Sequence, residues 1–157
     1  MESAFRFPVI VETGTHRGTT TEYLLRNSRA VIHTVETTPR YRGFARARFL
    51  LQRRVRLHAL DSRDFLRRHL GRPEFHRDPI FFYLDAHWYA DLPLREECQL
   101  IFHHRVPAVV MIDDFEVPGD PGYGFDDYGP GHRLSLDLLR DLARDGLAAY
   151  VPRAPAD

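Results

Sequence analysis

Short runs of apolar residues, largely β-branched or aromatic, punctuate this chain, and each is followed by a longer segment whose apolar positions recur at helical spacing. The runs lie at 5–11, 31–35, 55–60, 79–84 and 107–112 and read as strands. Segments 20–27, 38–52, 62–70, 92–104 and 134–145 read as helices, and 147–151 as a short last strand. Thr38-Pro39 opens a helix with a capping hydroxyl and then a proline at the first position, where its missing N–H costs nothing. Asp61 or Ser62 caps the next helix. The runs Pro-Ile-Phe-Phe-Tyr-Leu (79–84) and Pro-Ala-Val-Val-Met-Ile (107–112) contain almost nothing polar. They therefore read as central, parallel strands buried on both faces. Residues 71–78 read as a polar loop, and 115–133 as a long loop rich in glycine, proline and aspartate, a length that usually serves function. The alternation predicts an α/β fold, a doubly wound, mostly parallel sheet with helices on both faces, in a single domain over 1–157.

The first strand runs into Glu12-Thr13-Gly14-Thr15-His16-Arg17-Gly18-Thr19. Two glycines bracketing a strand-to-helix turn permit positive φ and close approach of a ligand to backbone, with a helix N-terminus behind. The spacing is not that of a dinucleotide loop, and no lysine follows as in a phosphate loop. An acid at the strand end repels a pyrophosphate but suits a cationic or zwitterionic ligand. The same polarity recurs, since all five strands end in an acid: Glu12, Glu36, Asp61, Asp85 and Asp113. Ligands of doubly wound sheets bind at those carboxyl ends, near the point where strand order reverses.

Charge narrows the partners. Lys+Arg and Asp+Glu are 22 each among 157 residues, so nothing marks a nucleic-acid surface. Every one of the 22 basic residues is arginine. A single cysteine, Cys98, excludes an intrachain disulfide and fits a reducing compartment. No stretch is apolar enough to span a membrane, and the first residues lack the apolar core of a signal peptide. The expectation is a cytoplasmic protein with no membrane partner.

In motif order, over roughly 5–151, the chain resembles the class I S-adenosylmethionine-dependent methyltransferases. Val-Glu-Thr-Gly-Thr-His-Arg-Gly-Thr is similar to the family's first motif, whose glycine loop lies against the methionine part of the cofactor. Glu36 matches the acid that holds both ribose hydroxyls, and Asp61-Ser62 the site that meets the adenine amine. The resemblance thus implies cofactor contacts at Glu12, Gly14, Thr15, Gly18, Thr19, Glu36, Asp61, Ser62 and Asp85. More narrowly, Asp85 with Asp113-Asp114 resembles the divalent-metal site of Mg²⁺-dependent O-methyltransferases, oxygen donors being what a hard cation takes. The implied activity is methyl transfer to a hydroxyl of a small molecule.

Three departures from that pattern carry consequences. The catechol-type enzymes use a lysine as general base, and this chain has none, so His87 and His132, beside Asp85, become the catalytic candidates. The family's seventh strand is absent from the pattern, which leaves the apolar run at 107–112 to be covered by the 147–151 strand or by a second copy in a homo-oligomer. The N-terminal lid region is also missing, leaving 115–133 as the lid. Trp88, Tyr89, Tyr123, Phe125 and Tyr128 are candidate substrate-site walls, whereas Asp126-Asp127 reads as a solvated turn and Cys98 as core. Two other readings stay open: a metal-dependent hydroxylase or other non-methylating enzyme on this scaffold, and a non-catalytic binding module.

Overall fold

The computed structural model describes residues 7–88, 91–142, 147–152, 154 and 156. In chain order they form β1 (Val9–Thr13), α1 (Thr19–Asn27), β2 (Val31–Val35), α2 (Pro39–Arg48), β3 (Val55–His58), α3 (Ser62–His69), β4 (Ile80–Leu84), α4 (Leu94–His104), β5 (Ala108–Ile112) and α5 (Leu136–Leu139). All five strands are parallel, in the order β3-β2-β1-β4-β5. This is the doubly wound sheet expected from the sequence, and its order reverses between β1 and β4.

Each face of the sheet has its own apolar layer, as right-handed crossovers require. Ile10 and Ile32 pack with Leu25, Ala45 and Phe49 of α1 and α2 on one side. Val11, Phe82 and Leu84 pack with Phe65, Leu66, Leu94, Cys98 and Ile101 of α3 and α4 on the other. The end of α1 is closed by Arg54, whose guanidinium donates to the carbonyls of Leu25, Ser28 and Ala30 at 2.8–3.1 Å, satisfying groups that a helix C-terminus leaves open. Thr38 does not cap α2 through its side chain. Its N–H donates instead to Glu36 Oε1 at 2.7 Å. Asp61 does cap α3, accepting from Arg63 N at 2.9 Å.

Several boundaries differ from the sequence reading. β1 continues to Thr13, so Glu12 lies inside the strand, and β3 stops at His58. A 3₁₀ turn, Pro73–Phe75, interrupts the 71–78 loop and buries Phe75. The helix expected over 134–145 is α5 followed by a 3₁₀ turn at Arg140–Leu142, and 143–145 lie outside the described residues. The strand expected at 147–151 does not form. Among the described residues β5 is consequently an edge strand rather than a central one, with Val109 42% and Met111 50% exposed. An apolar run reports what a strand could bury and says nothing of whether a neighbour has arrived.

Three imidazoles, His33 of β2, His58 of β3 and His69 of α3, gather under Phe65 and Phe75. His33 Nδ1 and His58 Nε2 are 3.1 Å apart with near-parallel rings, and His69 Nδ1–H donates to the Phe65 carbonyl at 2.9 Å. Burial, reinforced by neighbouring cations, pushes His33 down to about 3 and His58 to about 4. The unfolded chain takes up those protons near 6.5, so stability falls as pH drops below that value and towards the folded-state values. Unfolding free energy is expected to fall by on the order of 1–2 kcal/mol per histidine between neutral pH and pH ~5. Denaturant titrations at both pH values should show His58→Leu with a visibly flatter slope. An unchanged slope would assign the acid sensitivity elsewhere.

Candidate active site

The site forms where β1 and β4 lie side by side at the reversal of strand order. Gly14 takes φ +84°, and a Cβ there would overlap the backbone carbonyl of Asp85. Gly18 takes φ +74°, and its Cβ would stand 2.5 Å from the Phe49 ring. Both glycines are therefore required by space as well as by conformation. The loop between them folds back on β2: Gly14 and Thr15 each donate an N–H to the Val35 carbonyl at 3.1 Å. His16, at φ 47°, then points its N–H at Glu36 Oε2, 2.7 Å away. With Thr38 N–H on the other oxygen, Glu36 is held at 7% exposure by two backbone donors, and each of its oxygens keeps a lone pair for the cavity it lines.

Glu12 plays a different part. It is 1% exposed, and its Oε2 accepts from the hydroxyls of Thr21 in α1 and Thr34 in β2. Thr34 Oγ1 also lies 2.5 Å from Thr15 Oγ1. Burial raises the Glu12 carboxyl to about 7, and Oε1 has no hydrogen-bond partner among the described residues. Glu12, Thr15, Gly18 and Thr19 thus shape the loop, while Gly14, Glu36, Asp61, Ser62 and Asp85 line a cavity of about 420 Å³. At its far end Arg63 forks onto both oxygens of Asp61, at 2.7–2.8 Å, and reaches both oxygens of Asp91 at 2.9 Å. Those hydrogen bonds hold Asp61 below the usual carboxylate range and Arg63 above its own.

The opposite end is acidic. Asp85, His87 and Asp114 each offer a donor atom, all within 4.8 Å of one another. His87 is 6% exposed; its Nε2 has no hydrogen-bond partner among the described residues and lies 3.9 Å from Asp126 Oδ2. Burial, followed by the charges of Asp113, Asp114, Glu12 and Asp126, raises Asp85 to about 7. Burial and Asp113 also raise Asp114, whereas burial lowers His87 against the opposing pull of Asp126, Asp114 and Asp113. Asp113 is turned to Tyr83, whose O–H donates to Oδ2 at 2.5 Å. Asp114 sits at φ 47°, and it and His16, two of the three non-glycine residues at positive φ among the described residues, both border the cavity. Strain of this kind persists where surrounding structure enforces it.

The structure separates the remaining candidates. His132 is exposed, its Nδ1 3.1 Å from the Pro130 carbonyl, and it does not line the cavity. Trp88 stands at the cavity, 74% exposed; Tyr89 lies outside the described residues. Tyr123 bonds the Ala154 carbonyl, and Phe125 lies beneath Arg133. Asp127 makes a turn with Gly129 N–H, as a solvated turn residue does. Asp126 departs from that reading: it lines the cavity, donates its N–H to the Asp114 carbonyl, and accepts from the Tyr128 hydroxyl. His16, Tyr41 and Asp91 also line the cavity and were not singled out from the sequence. For His16 a signal existed, since it sits inside the glycine loop; for Asp91 and Asp126 only the fold supplies one.

No family model matches the chain, and no curated protein matches it. Solved structures do. An amino pentose methyltransferase from Micromonospora echinaspora involved in calicheamicin biosynthesis, with S-adenosylmethionine bound, aligns over 77% of this chain and 47% of its own at 21% identity and TM-score 0.51. The [4+2]-cyclase SpnF aligns over 88% and 49% at 12% identity and TM-score 0.55. The mycolic acid cyclopropane synthase CmaA1 aligns over 89% and 49% at 11% identity and TM-score 0.53. The chain spans about half the length of each. Its fold is the Rossmann-like fold of the class I S-adenosylmethionine-dependent methyltransferases.

Because a Cβ at residue 14 would overlap the Asp85 carbonyl and the backbone there is left-handed, Gly14→Ala should lower stability by about 2 kcal/mol or more. Thermal melting checks this, and wild-type melting in Gly14→Ala would mean that the two turns are not in contact.

Proposed function

We propose that this chain binds S-adenosylmethionine and transfers its methyl group to a hydroxyl of a small molecule, assisted by a divalent cation, with Mg²⁺ favoured. The observation that carries the reading is the cavity itself. At the switch point of a methyltransferase fold, a buried acid is held by two backbone N–H groups at one end, and at the other stands a cluster of acids with an imidazole whose Nε2 has no hydrogen-bond partner among the described residues. Glu36 would receive the two ribose hydroxyls on its free lone pairs, and Asp61-Ser62 would meet the adenine. Asp85, Asp114 and His87 fit a cation better than an empty space does, since Asp113, Asp114 and Asp126 otherwise repel Asp85 without a counter-charge. When bound, the cofactor supplies an activated methyl group and the cation lowers the pKa of an acceptor hydroxyl.

The chain's own residues would do the rest. Asp113 is tethered by Tyr83, and Asp126 faces His87 Nε2. Where no cation is held, His87 Nε2 is the atom placed to take the acceptor's proton, with Asp126 to stabilise the imidazolium. With no cation held, the acid lining would disfavour carboxylate and phosphate acceptors and favour neutral polyols. Fold alone does not choose the chemistry, and one structural neighbour is named a cyclase. Labelled methyl transfer therefore decides between this reading and a non-methylating enzyme. We also propose a homo-oligomer through the β5 edge, where Val109 and Met111 are exposed.

Glu36→Ala should weaken S-adenosylhomocysteine binding by about 1.5–3 kcal/mol, the scale of a charge-assisted hydrogen bond. Calorimetry with an intact circular dichroism spectrum checks it; unchanged affinity would remove the ribose assignment. Millimolar Mg²⁺ should raise the melting temperature and a chelator lower it, as binding to the folded state alone requires. Asp114→Asn should blunt that response. If melting and turnover ignore the chelator, the cluster is not a cation site.

A further inference from the structure

Arg63 stands in the first turn of α3, one residue past the Ser62 that opens it. Its guanidinium presents two edges, and a carboxylate occupies each. Nε and Nη2 donate to the two oxygens of Asp61 at 2.8 and 2.7 Å. Nη1 and Nη2 donate to the two oxygens of Asp91, both at 2.9 Å. A planar guanidinium can hold two such forks at once, whereas a lysine would supply the charge and neither geometry. Asp61 is itself fixed, since it caps α3. The Asp91 side chain is 64% exposed, so the pair adds little to global stability. What the double fork supplies is position.

Asp91 passes that position on. Its N–H and carbonyl pair with the carbonyl and N–H of Trp88, both at 3.0 Å. Trp88 lines the cavity, as Asp61 and Asp91 do, yet it is 74% exposed. An indole left this open at a concave site offers a flat apolar face to whatever enters. We propose that Arg63 is a positioning residue: by forking onto Asp61 and Asp91 together it fastens the Trp88–Asp91 bridge to the head of α3, and so sets the indole as a wall for a planar ring. The identity of that ring rests on reading the cavity as an adenosine site. On that reading it is the adenine, met at its edge by Asp61-Ser62 and on its face by Trp88.

Trp88 is the single tryptophan of the chain, so tryptophan emission reports this position alone. In the free protein, time-resolved anisotropy should show the indole held in the wild type and loosened in R63K and in D91A. The R63K/D91A pair should be no looser than either variant alone, as expected of residues acting through one contact. By calorimetry, S-adenosylhomocysteine should bind roughly tenfold more weakly to R63K and to D91A. W88A should lose at least as much, and D91A added to W88A should cost nothing further. D91A should melt close to the wild type, so the loss of affinity is not a loss of fold. If Arg63 acts by charge alone, R63K will match the wild type. If Asp91 touches the ligand itself, D91A will weaken W88A as well. Either result overturns the proposal, as does unchanged anisotropy in D91A. If R63K does not fold, D91A carries both measurements. If the wild type binds no S-adenosylhomocysteine, the cofactor reading fails and the anisotropy alone decides the hold on Trp88.

Discussion

The contact between the backbone at Gly14 and the backbone at Asp85 is the constraint on which the site depends. It exists because β1 and β4 are parallel neighbours whose chains leave the sheet in opposite directions. With no side chain at Gly14, the two departing turns close on each other, and Asp85 can donate its N–H to the Thr13 carbonyl. From that junction the glycine loop swings to β2, where Val35 and Glu36 receive its N–H groups. The Asp85 turn swings towards Asp114 and His87. Both ends of the cavity are hung from the same pair of strand ends.

The two ends are built on opposite electrostatic terms. Glu36 is a buried carboxylate whose charge is answered by the protein's own N–H groups, a stable arrangement before any ligand arrives. Asp85 and Asp114 have no such answer among the described residues, and burial with the neighbouring charges of Asp113 and Asp126 raises both. Proteins keep arrangements of that kind where function needs them.

Much of this was legible in the sequence. The periodic switch from apolar runs to helical spacing located β1 to β5 and α1 to α4, because each element is long enough to show its period. Three of the five strand-end acids, Glu36, Asp61 and Asp85, line the cavity, because a doubly wound sheet gathers its strand ends at one edge. What failed was of a different sort. The apolar run at 107–112 looks the same whether or not a neighbour covers it, so the edge position of β5 was invisible. The 147–151 segment has strand-like composition, but a strand needs a partner with open hydrogen bonds in the right place. Thr21 and Thr34 turn Glu12 inward, and no local signal encodes two hydroxyls brought from α1 and β2. Asp126 and Asp91 reach the cavity only because the fold carries distant segments there.

The unanswered acids have one further consequence. On the proposed reading, the donor enters as a sulfonium cation and leaves as a neutral thioether. An acid-lined wall attracts the first and is indifferent to the second. The charge that Asp85, Asp114 and Asp126 hold ready would thus weaken its grip at the moment the methyl group departs. On that reading the cavity would need no moving part to tell a spent donor from a fresh one, the loss of charge on the ligand being enough.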